Sequence, residues 1–187
     1  MIAKRLIPKA LMGAVMISVL VFDCEQAFAP DTVPEYEVKA AMIYNFALFV
    51  EWPNGVSSRS PITVGVLGDD PFGPILETTF RGKTAQGRGF QVRRFARLEE
   101  LQPCEILFIA QSERKRFPEI AGTIGNGSVL TVGDMKDFAE LGGIVGFKVE
   151  QKQIRFEINL DAAQRAGLKI SYKLLRLALP RPSTSQE

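Results

Sequence analysis

The stretch ITVGVLGDDPFGPILETTF, Ile62–Phe80, decides the class of fold. Its opening Ile62–Leu67 is rich in branched apolar residues and reads as a strand. Gly68–Asp69–Asp70–Pro71 supplies turn residues, and a short helix follows around Phe72–Phe80. The same strand–turn–helix order recurs downstream. Cys104–Ala110 is a buried strand, and Ser112 is placed to cap a helix through Ile120, with Pro118 limiting its regularity. Ser128–Val132 is a further strand, after which Asp134 is expected to cap a helix through Leu141.

Working outward, Glu35–Trp52 reads as the first helix, with Val38, Ala41, Met42, Phe46, Phe49 and Val50 on its core face. Pro53 closes it, and Asn54–Gly55 provides a turn. A polar stretch containing Gly82, Gly87 and Gly89 leads to a more polar strand at Phe90–Phe95. Val145, Phe147 and Val149, then Ile154, Phe156 and Ile158, alternate with polar or small residues. They form a hairpin that reverses at Glu150–Gln153. Helical segments are expected at Asp161–Ala166 and Ser171–Leu179. The expected fold is a single α/β domain with a mixed, mostly parallel sheet flanked by helices.

Composition limits the chemistry. The 187 residues carry 23 Lys+Arg against 21 Asp+Glu, a formal charge of +2, with two cysteines and no histidine. Without histidine there is no Ser-His-Asp or Cys-His hydrolase and no His-ligated zinc or haem. Two thiols cannot complete an all-cysteine zinc site or hold an iron–sulfur cluster alone. The small net charge gives no reason to expect nucleic acid as a partner. The reading contains no catalytic, cofactor or metal residues.

Residues 1–29 read as a secretory signal peptide. Lys4, Arg5 and Lys9 precede the apolar run Leu11–Phe22, and Ala27–Phe28–Ala29 offers small residues for cleavage. The run has 12 residues, whereas a membrane-crossing helix needs about 17–25. The expected exported protein is soluble after cleavage, with a domain over 30–179 and a loose tail over 180–187. Cleavage after Ala29 would leave one cysteine, Cys104, either a buried thiol or an intermolecular bridge.

If the central strands are parallel, their C-terminal ends surround a crevice that includes Asp69, Asp70, Gln111, Ser112 and Asp134. Caps and turns require the same residues, so ligand binding and local structure are both open there. Gly65, Gly68 and Gly73 lack the spacing of a phosphate loop, and Asp69 with Asp70 does not complete an oxygen shell for magnesium. Ser112 and Lys115 share a helical side without a supporting catalytic motif. Arg81, Lys83, Arg88, Arg93, Arg94 and Arg97 form a basic interval that suits either an acidic partner or a solvated face. Phe90 and Phe95 read as core anchors rather than a row for stacking bases. Arg155 and Glu157 fall on one side of a strand, as a partner-facing or local ion pair.

Four ordered blocks carry a more specific signal: VKAAMIYNFALFVEWP at Val38–Pro53, ITVGVLGDDPFG at Ile62–Gly73, CEILFIAQSE at Cys104–Glu113, and GGIVGFKVEQKQIRFEINLDAAQRAGLKISYKLLRLA at Gly142–Ala178. Together they span roughly residues 35–179, and the chain resembles the YfiR family, DUF4154. The resemblance implies a periplasmic α/β protein that is not an enzyme. It further implies binding to the periplasmic portion of an inner-membrane diguanylate cyclase, which lowers cyclic-di-GMP output and restrains biofilm formation. An outer-membrane lipoprotein that sequesters the repressor and a homodimer are further implied partners. Matching positions imply an interaction region at Glu157, Asn159, Leu168, Ile170, Lys173, Arg176 and Leu177, with a role in the fold equally open for its apolar members. Tyr44, Asn45 and Trp52 either join it or organise the first helix. The family's intramolecular disulfides do not carry over, because Cys104 has no second cysteine after cleavage. The alternative function is an exported small-molecule sensor domain of another signalling system.

Overall fold

A computed structural model describes residues 35–53, 60–125 and 127–180. The leader at 1–29, the turn at Asn54–Gly55 and tail residues 181–187 lie outside the described residues. In chain order the elements are α1 (Glu35–Phe49), β1 (Val50–Glu51), β2 (Ile62–Leu67), α2 (Ile75–Phe80), β3 (Phe90–Phe95), β4 (Ile106–Ile109), α3 (Phe117–Ile124), β5 (Leu130–Gly133), β6 (Val145–Glu150), β7 (Gln153–Ile158), α4 (Leu160–Arg165), β8 (Lys169–Ile170) and α5 (Tyr172–Leu175). The main sheet has six strands in the order β3-β2-β4-β5-β6-β7. Neighbours are parallel from β3 through β6, and β7 returns antiparallel. This is the expected mixed, mostly parallel α/β domain.

Both faces of the sheet are covered, which explains why its central strands are apolar without a polar alternation. Ile106 and Phe108 of β4 pack with Ile43, Phe46 and Ala47 of α1 and with Leu76 and Phe80 of α2. Leu107 and Ile109 point to the other face, where Phe117 and Ile120 of α3 meet Phe138. On the first face Phe46 stacks on Phe147 and meets Phe156 edge-on, so α1 is fixed to the β6–β7 hairpin.

Helix α1 departs from the expected face. Lys39, Ala40, Ile43, Phe46 and Ala47 are its buried residues, whereas Ala41 is exposed and Val38, Met42 and Phe49 are half-buried. Apolar side chains surround this helix, so their spacing does not select one stripe. The helix also ends at Phe49 rather than Trp52, because Val50 and Glu51 pair antiparallel with Ile170 and Lys169. The Ser171 N–H donates to the Phe49 carbonyl at 2.9 Å and extends this tie. A tertiary partner has overridden local helical preference.

Two further helix expectations are corrected. Ser112 does not cap a helix: Gln111–Arg116 forms a 3₁₀ turn, and α3 starts at Phe117. Pro118 then sits in the first turn of α3, where its missing N–H is harmless. The segment after β5 contains turns instead of a helix. Phe138 in that segment lies flat against two glycines. A Cβ at Gly143 would approach it to 2.2 Å, and one at Gly133 to 2.7 Å. Asp137 has φ +63°, which breaks any continuous helix there.

The β6–β7 register runs from Val145↔Ile158 to Glu150↔Gln153, as the alternation predicts. Its two turn residues, Gln151 and Lys152, have φ of 50° and 63°. Positive φ at both positions matches the right-handed twist of a two-residue hairpin. After β7, Asn159 caps α4 by accepting from the Ala162 N–H at 3.0 Å.

Candidate functional site

The described strands end in two separate clusters rather than one crevice. Asp69, Asp70 and Ser112 belong to the first. The Asp69 N–H donates to Ser112 Oγ at 3.0 Å, tying the loop after β2 to the loop after β4. Asp70 accepts from the Phe72 N–H at 2.8 Å and pairs with Arg94 at 2.6 Å. Arg94 also meets Glu77 at 2.5 Å, and that hydrogen bond is the main reason the Glu77 carboxyl lies below its ordinary range. These residues close turns and cross-link α2 to β3.

Gln111 and Asp134 belong to the second cluster, an open cavity of about 660 Å³. Its walls come from the start of α1, the turn after β5 and the projecting end of the β6–β7 hairpin. Asp134 is not an N-cap. It accepts from Lys39 Nζ at 2.6 Å and from the Tyr36 hydroxyl at 3.0 Å. Lys39 also pairs with Glu35 at 2.5 Å and stands 4.3 Å from the centre of the Tyr36 ring. Burial opposes the Lys39 charge, but the hydrogen bonds to Asp134 and Glu35 outweigh it and raise its pKa above the usual lysine value. Burial, followed by the Asp134 charge, raises the Tyr36 phenol in the same direction.

Glu157 lies against this cavity and is only 2% exposed. Its Oε2 pairs with Lys148 Nζ at 2.7 Å. Arg155 instead sits opposite Lys148 in the strand register and is exposed, so the expected Arg155–Glu157 pair is replaced by Lys148–Glu157. The carboxylate is the largest cause of the raised Lys148 pKa. The second carboxylate oxygen, Glu157 Oε1, has no hydrogen-bond partner among the described residues.

The remaining interaction-region residues divide by burial. Asn159 is buried, and besides capping α4 its amide donates to the Ala139 carbonyl at 2.7 Å. Leu168 is buried in the core and Ile170 is half-buried in β8. Glu157, Asn159 and Leu168 are therefore buried rather than exposed: the strand pleat turns Glu157 inward, the α4 cap holds Asn159, and Leu168 packs in the core. Lys173, Arg176 and Leu177 are exposed at α5, with Leu177 at 61%. The neighbouring Tyr172, absent from the expected set, is 73% exposed. Buried Leu174 seats this short helix on the domain while its neighbours face outward.

The basic interval also disperses. Arg88 is buried, donates to the Ser60 and Pro61 carbonyls at 2.7 and 3.2 Å, and pairs with Glu105. Arg93 donates to Gln102, Arg97 pairs with Glu100 at 2.9 Å, and Lys83 stands 4.8 Å from the centre of the Tyr44 ring. Phe90 instead stacks on Phe80 inside the fold. Tyr44 donates to the Thr84 carbonyl and Trp52 to that of Glu105, both at 3.2 Å, so both anchor the first helical region. Cys104 is half-buried beside Gly65, and burial followed by the Glu105 charge pushes its thiol up to about 12. It is held protonated and is a poor nucleophile at neutral pH.

Sequence reasoning missed Lys39 and Tyr36, and it named Arg88 only as one of a basic interval. The Glu35–Lys39 spacing of four residues at a helix start was the available signal, because it favours an ion pair on one face. For Arg88 nothing in the local pattern distinguishes a buried anchor from a solvated base.

Among the described residues, no helix is long and apolar enough to cross a membrane, and no group of three or more His, Cys, Asp or Glu is placed to hold a metal ion. No curated protein matches the chain. The YfiR/HmsC-like family, DUF4154, matches residues 36–179, more than three quarters of the sequence and all of the elements that build the cavity and α5. The chain belongs to the YfiR/HmsC-like family.

Proposed function

We propose that this protein is a periplasmic, non-enzymatic regulator that binds the periplasmic portion of a membrane diguanylate cyclase and lowers its cyclic-di-GMP output. Membership of the YfiR/HmsC-like family over residues 36–179 carries the reading. The exposed end of the fold supports it: Tyr172 of α5 and Leu177 in the turn after it present apolar surface beside Lys173 and Arg176, and buried Leu174 holds the helix. Exposed apolar side chains rimmed by charge suit a protein contact. Regulation follows if the contact is stronger with the less active cyclase conformation, since a binder shifts an equilibrium only through differential affinity. A lipoprotein of the outer membrane competing for the same surface would then release the cyclase. A second reading, an exported domain that senses a small molecule, is favoured by the polar cavity beside Glu157.

Deleting the gene in its own cell is expected to raise cyclic-di-GMP severalfold. Re-expression of the wild-type chain restores the low level, whereas a Tyr172→Ala/Leu177→Ala chain that is exported and folded does not. Unchanged cyclic-di-GMP after both deletion and overproduction would contradict the regulatory reading.

A further inference from the structure

The main sheet has two edges, and among the described residues the chain covers one of them. At β7 the Leu179 N–H donates to the Phe156 carbonyl at 2.8 Å, and Leu179 bridges to Glu157. At the opposite edge, β3 pairs with β2 and with no other described strand. The Ile62 N–H donates to the Gly89 carbonyl and the Gly68 N–H to that of Phe95. Gly89 and the odd-numbered residues of β3 therefore spend their backbone groups on β2. The N–H and C=O groups of Phe90, Val92 and Arg94 point away from the sheet. A row of this kind is a template for a further strand.

Beside this edge runs a groove of about 460 Å³, between β3 and the end of α2. Its floor is apolar: Phe90 and Val92 are half-buried, and Phe80 stacks on Phe90. A strand added to β3 would direct every second side chain into that groove. The rim is basic. Glu77 is already held by Arg94, whereas Arg81 and Lys83 are exposed and pair with no carboxylate among the described residues. On the other face of β3, Arg93 donates to Gln102 rather than to an acid. These charges select the occupant. A second copy of β3 would add the same cations across the edge, like charge against like.

We propose that β3 is a docking edge for an extended acidic segment of a partner protein. The segment adds a strand beside Val92 and places alternate apolar side chains against Phe80, Phe90 and Val92. Carboxylates before and after them meet Arg81 and Lys83 at the rim. This docking does not rest on the cyclase reading, whose contact surface at α5 leads into Leu179 at the opposite edge.

The test is titration of the exported, purified protein, isotopically labelled for amide NMR, with the acetylated and amidated peptide EEVEVEE. The peptide KKVKVKK serves as its charge-reversed counterpart. EEVEVEE is expected to bind saturably and to slow exchange of the Val92 and Arg94 amide hydrogens at least about tenfold, while KKVKVKK does neither. Val92→Pro removes an outward N–H that the β2 ladder does not use, and it should weaken EEVEVEE at least about tenfold. Arg81→Glu/Lys83→Glu, at two exposed positions, should weaken it by as much and carries the test if Val92→Pro does not fold. No binding of EEVEVEE up to about 1 mM, equal binding by KKVKVKK, or unchanged affinity in the folded variants would overturn the proposal. Binding that leaves the Val92 and Arg94 amides unprotected would overturn it as well. A concentration-dependent dimer that Val92→Pro abolishes would assign the edge to a second copy and overturn it too.

Discussion

Replacing Lys39 by methionine is expected to destabilise the domain by about 3–5 kcal/mol, although methionine keeps most of the buried stem. Lys39 is 2% exposed, and its ammonium holds Asp134, which is itself largely covered, at 2.6 Å. Removing the ammonium leaves that largely covered carboxylate with Tyr36 as its remaining donor among the described contacts. At roughly 2–4 °C per kcal/mol for a domain of this size, the melting temperature falls by at least about 6 °C. Lys39→Met combined with Asp134→Asn should recover part of the loss, because the stranded charge is gone. The raised Lys39 pKa fixes the pH dependence. Its contribution is fully present below the unfolded-state value of about 10.4 and is lost as pH rises through the folded-state pKa. A Lys39→Met protein within about 1 kcal/mol of wild type in urea unfolding would show that the pair contributes little.

Arg88→Ala is expected to cost about 3–5 kcal/mol, and Arg88→Lys a substantial part of that. The guanidinium serves two backbone carbonyls and Glu105 at once, and Glu105 uses its other oxygen to accept from the Thr63 N–H at 2.8 Å. This arrangement ties the segment before β3 to the entries of β2 and β4. A lysine delivers one compact charge and cannot reproduce the planar fork. Denaturant midpoints of the two variants test this, and a wild-type midpoint for Arg88→Lys would refute the geometric requirement.

The strands were legible because their composition reports burial on two faces directly. Ile62–Leu67, Ile106–Ile109 and Leu130–Gly133 are apolar runs, and the β6–β7 alternation even gives the register. The buried face of α1 was not legible, since apolar residues surround it and small Ala40 and Ala47, together with a paired lysine, form the contact. The site was legible in part. Gln111 and Asp134 both line the cavity beyond the strand ends, but the partner of Asp134 is Lys39, 95 residues away in sequence. Glu157 looked outward-facing because alternation identifies the side of a strand and not what covers that side. The turn after β5 and the unequal lengths of β5 and β6 create the cavity, and neither has a local periodic signature.

The regulatory proposal is tested most directly by calorimetric titration of the purified protein into the periplasmic portion of a candidate diguanylate cyclase from the same cell. The proposal predicts saturable binding, weakened at least about tenfold by Tyr172→Ala/Leu177→Ala while that variant's melting temperature stays near wild type. A folded cyclase portion that shows no binding at any attainable concentration would contradict it for that cyclase.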